Sequence, residues 1–214
     1  MATETLVHVI DDDEEVRRSL AFLLASAGMN ASVHADAADF LRTLAAAGPS
    51  GCVLTDVRMP GMTGIELLRH LGAEHADIPV IVMTGEGDVP IAVEAMKIGA
   101  LDFLEKPFDD EALLAAVRNA LGVWEKGTRR EAERQRYRRR IEALSGRERD
   151  VFEGLVAGHS NKAIAHMHGI SPRTVEIYRA NVMAKMEASS LSELVRMASI
   201  VAMADEGEER RRKP

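Results

Sequence analysis

The sequence predicts an α/β domain built on a doubly wound, five-stranded parallel sheet, followed by a second, all-α domain of four helices. Three observations predict it. Residues 1–122 alternate five short apolar runs with five longer amphipathic ones, and such alternation implies parallel strands with helices on both faces. Three of the apolar runs are continuous rather than alternating, as strands covered on both sides are. Residues 141–204 read as helix throughout, with capping signals between the segments.

Strands are expected at 6–10, 31–34, 52–55, 80–84 and 101–104, and helices at about 14–27, 37–47, 64–72, 89–98 and 110–122. Gly28, Gly48 and Gly99 stand where helices should end, because glycine adopts the left-handed closing conformation without strain. Residues 123–140 hold 8 basic and 3 acidic residues and almost nothing apolar between Trp124 and Tyr137. A segment polar all round is a solvent-bridging helix or a mobile linker. Ser145-Gly146-Arg147-Glu148 is a capping box opening the next helix. A short helix over 161–168 closes at Gly169, and Ser171 caps a third helix whose first residue is Pro172, where the missing N–H costs nothing. A fourth helix covers 191–203, and the charged tail 205–214 is expected to be disordered.

The chain has 214 residues, enough for one large domain or two small ones. The single cysteine, Cys52, excludes an intrachain disulfide and a secreted disulfide scaffold. Aromatics at 4% argue against a stacking platform of many rings. The start lacks a basic signal region, and the apolar stretch 20–28 is far below the roughly 20 residues of a spanning helix. A soluble cytoplasmic protein without a membrane partner is expected. The net charge of −7 argues mildly against nucleic-acid binding, but it conceals a split. Residues 1–122 carry 8 basic and 20 acidic groups, net −12, and residues 123–214 carry 19 and 14, net +5. Two modules with different partners follow.

Open α/β sheets bind ligands beyond the carboxyl ends of their strands. Those ends carry Asp11-Asp12-Asp13, Thr55-Asp56, Thr84-Gly85 and Lys106-Pro107. Carboxylates, a hydroxyl and an ammonium would converge there. Clustered carboxylates need a cation, and an oxygen-only set suits Mg²⁺. A metal beside a carboxylate nucleophile accepts phosphoryl groups. Asp56, on a central strand, is the candidate nucleophile, with Thr84 and Lys106 as partners of phosphoryl oxygens. Singly, each residue also reads as a helix-start acid, a turn residue, a strand end or a surface charge; the four joint placements favour a site.

The segments Val9-Ile10-Asp11-Asp12-Asp13, Thr55-Asp56-Val57-Arg58-Met59-Pro60-Gly61, Met83-Thr84-Gly85 and Asp102-Phe103-Leu104-Glu105-Lys106-Pro107-Phe108 resemble the receiver domain of two-component response regulators. The resemblance implies a flavodoxin-like, CheY-like sheet of order 2-1-3-4-5 over a domain of residues 1–122. It implies that Asp56 takes a phosphoryl group from a sensor histidine kinase. It further implies Mg²⁺ held by Asp11 or Asp12, Asp56 and the backbone carbonyl of Arg58, a switch pair Thr84 and Phe103, and a cis Lys106–Pro107 bond. Phe103 also reads as a plain core aromatic. The helix over 89–98 is more apolar than one core face requires. The resemblance makes this helix and the fifth strand a phosphorylation-dependent homodimer interface through Val93, Lys97 and Asp102. Burial on two sides within one chain is the other reading.

In the second module, the short helix, glycine turn and Ser-Pro-capped helix fit helix-turn-helix geometry. Residues 141–200 hold 7 basic and 7 acidic residues, so bulk charge does not carry the case. The segments Leu144-Ser145-Gly146-Arg147-Glu148-Arg149, Ser160-Asn161-Lys162-Ala163-Ile164-Ala165, Ser171-Pro172-Arg173-Thr174-Val175-Glu176 and Asn181-Val182-Met183-Ala184-Lys185-Met186 resemble the LuxR/GerE helix-turn-helix. Over 171–187, Arg173, Thr174, Arg179, Asn181 and Lys185 are candidate phosphate or base contacts, Glu176 can accept from a cytosine amine, and Ile177 can meet a thymine methyl. Asn161 and Lys162 would touch the backbone from a helix N-terminus.

Gly85-Glu86-Gly87-Asp88-Val89-Pro90 and Tyr178-Arg179-Ala180-Asn181 resemble the FixJ group of response regulators. That resemblance implies an oxygen-sensing haem kinase and nitrogen-fixation or microaerobic genes as targets. Pairing of two chains is expected to meet a two-fold promoter site, with RNA polymerase as a further partner. The competing readings are a haloacid-dehalogenase-like phosphatase and a constitutive DNA-binding regulator with a vestigial receiver. The phosphatase needs a second Asp two residues beyond Asp56, where Arg58 stands. The full acidic set speaks against a decayed receiver.

Overall fold

The structure is a computed structural model that describes residues 5–85 and 89–212, with side chains through residue 203. The Glu86-Gly87-Asp88 part of the FixJ resemblance lies outside the described residues. The chain forms two compact units, residues 1–128 and 129–214.

In the first unit, β1 (Leu6–Ile10), β2 (Asn30–His34), β3 (Cys52–Asp56), β4 (Val80–Thr84) and β5 (Asp102–Glu105) form one sheet of order β2-β1-β3-β4-β5. Every pairing is parallel. The connecting helices are α1 (Glu14–Ser26), α2 (Ala37–Ala47), α3 (Gly64–Glu74) and α4 (Val89–Ile98), and α5 begins at Asp110. β3 and β4 are buried at every residue, which explains their unbroken apolar runs. Successive side chains leave a strand on opposite faces. Val53, Val80 and Val82 therefore join Phe40, Leu67 and Leu71 from α2 and α3 in one core. Cys52, Leu54, Ile81 and Met83 join Leu20, Leu24, Leu113 and Val117 from α1 and α5 in the other.

Local chemistry fixes the helix starts that face the site. Asp13 caps α1, its carboxylate accepting from the backbone amides of Glu15 and Val16. Thr63 and Glu66 form a reciprocal capping box at α3. Gly64 cannot be larger: a Cβ there would lie 2.2 Å from the carbonyl oxygen of Asp56.

α5 runs from Asp110 to Glu142, 33 residues. Of the two readings of 123–140, the helix is therefore the one found, since Ala, Glu, Gln, Lys and Arg dominate it and are good helix formers. Tyr137 is buried and packs with Ile141 and Leu144 into the core of the second unit. That unit continues with α6 (Gly146–Val156), α7 (Asn161–His168), α8 (Pro172–Met186) and α9 (Leu191–Arg212). Its core takes Val151, Leu155, Ile164, Val175, Val182, Met186 and Leu194. The backbone of α9 stays helical to Arg212, so the expected disordered tail is corrected over 205–212: its Glu and Arg residues favour continued helix.

Candidate functional site

The sheet order puts the carboxyl ends of β1, β3 and β4 side by side, with the residue after β5 next to them. Asp11, Asp56 and Thr84 are all buried. Lys106 Nζ lies 2.6 Å from Asp56 Oδ1 and 2.9 Å from Asp11 Oδ2, joining the two carboxylates. The remaining oxygens take backbone donors: Arg58 N–H donates to Asp56 Oδ2 at 2.6 Å, and Asp13 N–H to Asp11 Oδ1 at 2.9 Å. The Lys106 amide donates to the Thr84 carbonyl at 2.7 Å, which registers the lysine against β4. The Lys106–Pro107 bond is cis. Burial pulls the ammonium of Lys106 toward neutrality, but the hydrogen bonds and charges of Asp56 and Asp11 outweigh it and hold its pKa above the ordinary value. Asp12 is exposed.

This donor set fits Mg²⁺. Two carboxylates on neighbouring strands share one cation, and both are hard oxygen donors. Among the described residues, no group of three or more His, Cys, Asp and Glu side chains is arranged to hold a metal. A Mg²⁺ bound through one or two carboxylates and waters needs no such cage.

α4 buries only Ala92 and Ala95, while Val89, Val93 and Met96 are 65%, 47% and 45% exposed. The reading that buries this helix on two sides within one chain is thereby excluded. Phe103 on β5 is 40% exposed, so it is not a core aromatic. Lys97 is exposed, and Asp102 is half-buried, its carboxylate accepting from the Phe103 amide at 2.9 Å. An ion pair between Arg69 and Glu94 ties α3 to α4.

In the second unit, Ser160 caps α7, Gly169 closes it in the left-handed conformation (φ 65°), and Ser171 caps α8 with Pro172 at the first turn. Val175, Val182 and Met186 lock one side of α8 into the core. The opposite side presents Arg173, Glu176, Ile177 and Asn181, with Ile177 57% exposed. Arg173 and Glu176 lie 3.5 Å apart. Thr174 and Arg179 flank this face half-buried, the Thr174 hydroxyl bonded to Ser171 Oγ at 2.8 Å. Lys162 is exposed and Asn161 half-buried at the start of α7.

Lys185 is different. Its Nζ lies 2.6 Å from Oε2 of Glu148, a buried carboxylate that also accepts from the Ser145 amide at 2.8 Å. The lysine bond, then the two bonds from Ser145, hold the Glu148 pKa down to about 2. Lys185, expected from sequence as a DNA contact, thus also joins α8 to α6 through this ion pair. Sequence reading missed this because Glu148 already had a local role in the capping box, which hid its need for a cation 37 residues away.

Residues 7–118 match the response regulator receiver domain, and residues 142–198 match the luxR family of bacterial regulatory proteins. The chain is 60% identical over 200 residues to the transcriptional regulatory protein FixJ of Azorhizobium caulinodans, covering 92% of this chain and 93% of that one. To the FixJ protein of Bradyrhizobium diazoefficiens it is 53% identical over 203 residues, covering 95% and 98%. Among solved structures, the response regulator StyR matches with a TM-score of 0.82 at 38% identity, covering 92% of this chain and 99% of that one. Full-length FixJ from B. japonicum matches with a TM-score of 0.56 at 53% identity, covering 94% and 99%. Among the described residues no helix is long and apolar enough to cross a membrane.

Proposed function

The chain belongs to the FixJ-type response regulators, transcriptional regulators that join a receiver to a LuxR-type DNA-binding domain, and from that premise we propose that phosphorylation of Asp56 by a sensor histidine kinase switches it into a DNA-binding homodimer. The observation that carries the reading is Lys106 bridging Asp56 and Asp11 at 2.6 and 2.9 Å.

An Asp56 carboxylate oxygen attacks the phosphorus of the kinase phosphohistidine. An O–P bond forms, the N–P bond breaks, and the imidazole leaves with the electron pair. Lys106 and the Arg58 amide already hold Asp56 with both oxygens occupied, so the attacking oxygen gives up one partner. Lys106 keeps its charge and pairs with a phosphoryl oxygen, and the Thr84 hydroxyl takes another. Asp11, Asp12, Asp56 and the Arg58 carbonyl would hold Mg²⁺, which when bound neutralises charge on the transferring group. Thr84 engaged by phosphate shifts toward the site, and Phe103 moves from its exposed position into the space vacated. The altered α4–β5 face then pairs two chains through Val93, Lys97 and Asp102. Pairing brings two copies of α8 to a two-fold promoter site, where linkage raises effective concentration. RNA polymerase recruitment at nitrogen-fixation or microaerobic promoters follows, with an oxygen-sensing haem kinase upstream.

Incubation with acetyl phosphate and Mg²⁺ tests the chemistry by intact-mass spectrometry. The wild type gains one phosphoryl group and Asp56→Asn gains none. Equal labelling of the two would sink the assignment of Asp56.

A further inference from the structure

The basic surplus of the second unit lies outside its recognition helix. Residues 141–200 are balanced at seven basic and seven acidic groups, and residues 123–140 hold eight and three. From Arg129 onward, α5 belongs to the same compact unit as α6–α9. Buried Tyr137 fixes which side of α5 faces the core. At about 100° per residue, Arg129, Arg136 and Arg140 fall within roughly 40° of one another, centred about 80° from Tyr137, and Arg139 lies about 60° beyond Arg136 on the side away from Tyr137. Arg136 and Arg140 both bond the carboxylate of Glu187, and Arg140 Nη1 donates to the Met186 carbonyl at 2.8 Å. This basic face of α5 therefore adjoins the C-terminal end of α8. Arg129 and Arg139 are exposed, without an acidic or hydrogen-bonding partner among the described residues.

A helix lying in the major groove has its ends close to the flanking sugar-phosphate chains, and contacts there position a protein without reading sequence. A charge-balanced reader supplies little of that positioning itself. We infer that Arg129 and Arg139 contact DNA phosphates beside the groove that α8 enters, so that α5 provides sequence-independent affinity and α8 provides selection. The inference rests on the DNA-binding reading above.

The test uses the full chain, phosphorylated with acetyl phosphate, and duplexes recovered from a random pool. Each phosphate neutralised contributes about 0.9 to the slope of log K against log salt. The double variant Arg129→Gln/Arg139→Gln lowers that slope by about 2 per bound protomer. It weakens all duplexes alike and recovers the same sequences as the wild type. Arg129→Lys/Arg139→Lys keeps the slope, and Arg139→Gln alone gives about half the change. An unchanged slope on a duplex the wild type binds, or a loss confined to particular sequences, overturns the inference while leaving the DNA-binding reading intact. A phosphorylated wild type that binds no duplex overturns both.

Discussion

Asp56 owes its position to a residue eight places later. Gly64 lets the first turn of α3 press against the Asp56 carbonyl, and a methyl group there would meet that oxygen at 2.2 Å. The neighbour is backbone, so relief requires moving β3 or α3. Gly64→Ala is expected to cost roughly 1–3 kcal/mol of stability and to slow phosphoryl acceptance, measured by denaturant unfolding and by acetyl-phosphate labelling. A second residue-scale prediction concerns acid. His8 is buried on β1, its Nδ1 3.1 Å from His34 Nε2 and its Nε2 3.1 Å from the Ser50 carbonyl. Burial, then the neighbouring His34, lowers its pKa from 6.5 to about 4, against the pull of the Ser50 carbonyl. The folded state thus binds fewer protons than the unfolded chain between those values. The stability present above pH 6.5 is lost as pH falls toward about 4, by on the order of 3 kcal/mol. Denaturant midpoints of the first unit should fall across that window, and His8→Gln should flatten the slope. An identical slope in the variant would contradict the assignment. The convergence of Asp11, Asp56 and Lys106 was legible from sequence, because each stands at or just past the carboxyl end of a strand and parallel strands all end at one edge. The His8–His34 pair was not, since nothing in either strand signals which face its histidine takes.

α4 and α5 show how far an amphipathic pattern reaches. The excess of apolar residues in α4 correctly signalled a second surface, and Val89, Val93 and Met96 are its exposed members. Val93→Glu adds charge to an exposed position, so stability should change by no more than about 0.5 kcal/mol. Phosphorylation of Asp56 should persist, while light scattering of the labelled variant should report a single chain. A dimer of unchanged mass would remove Val93 from the interface. In α5, pattern reading could not choose between helix and mobile linker, because a segment without an apolar stripe gives no periodic signal. Helix propensity and the burial of one residue, Tyr137, decide it. Lys185 shows what a helix pattern leaves out. It stands on the polar side of α8 and was read as free to meet DNA, yet it is bound to a carboxylate on α6.

Over the whole molecule, the net charge of −7 is the sum of two opposite demands. The first unit gathers carboxylates beside a lysine that joins them, and the second must approach a polyanion. The fold of both units was legible, since βα alternation and helix caps are local signals. The side-chain pairings between elements were not, because they depend on packing that brings distant residues together. Asp56 is proposed to control DNA binding through pairing. Selection from a random duplex pool, run on the wild type with and without acetyl phosphate and on Asp56→Asn, tests it most directly. The expected result is a two-fold symmetric site enriched by the phosphorylated wild type and by neither of the others. The same site enriched equally in all three, or a single half-site enriched with phosphate, would contradict it.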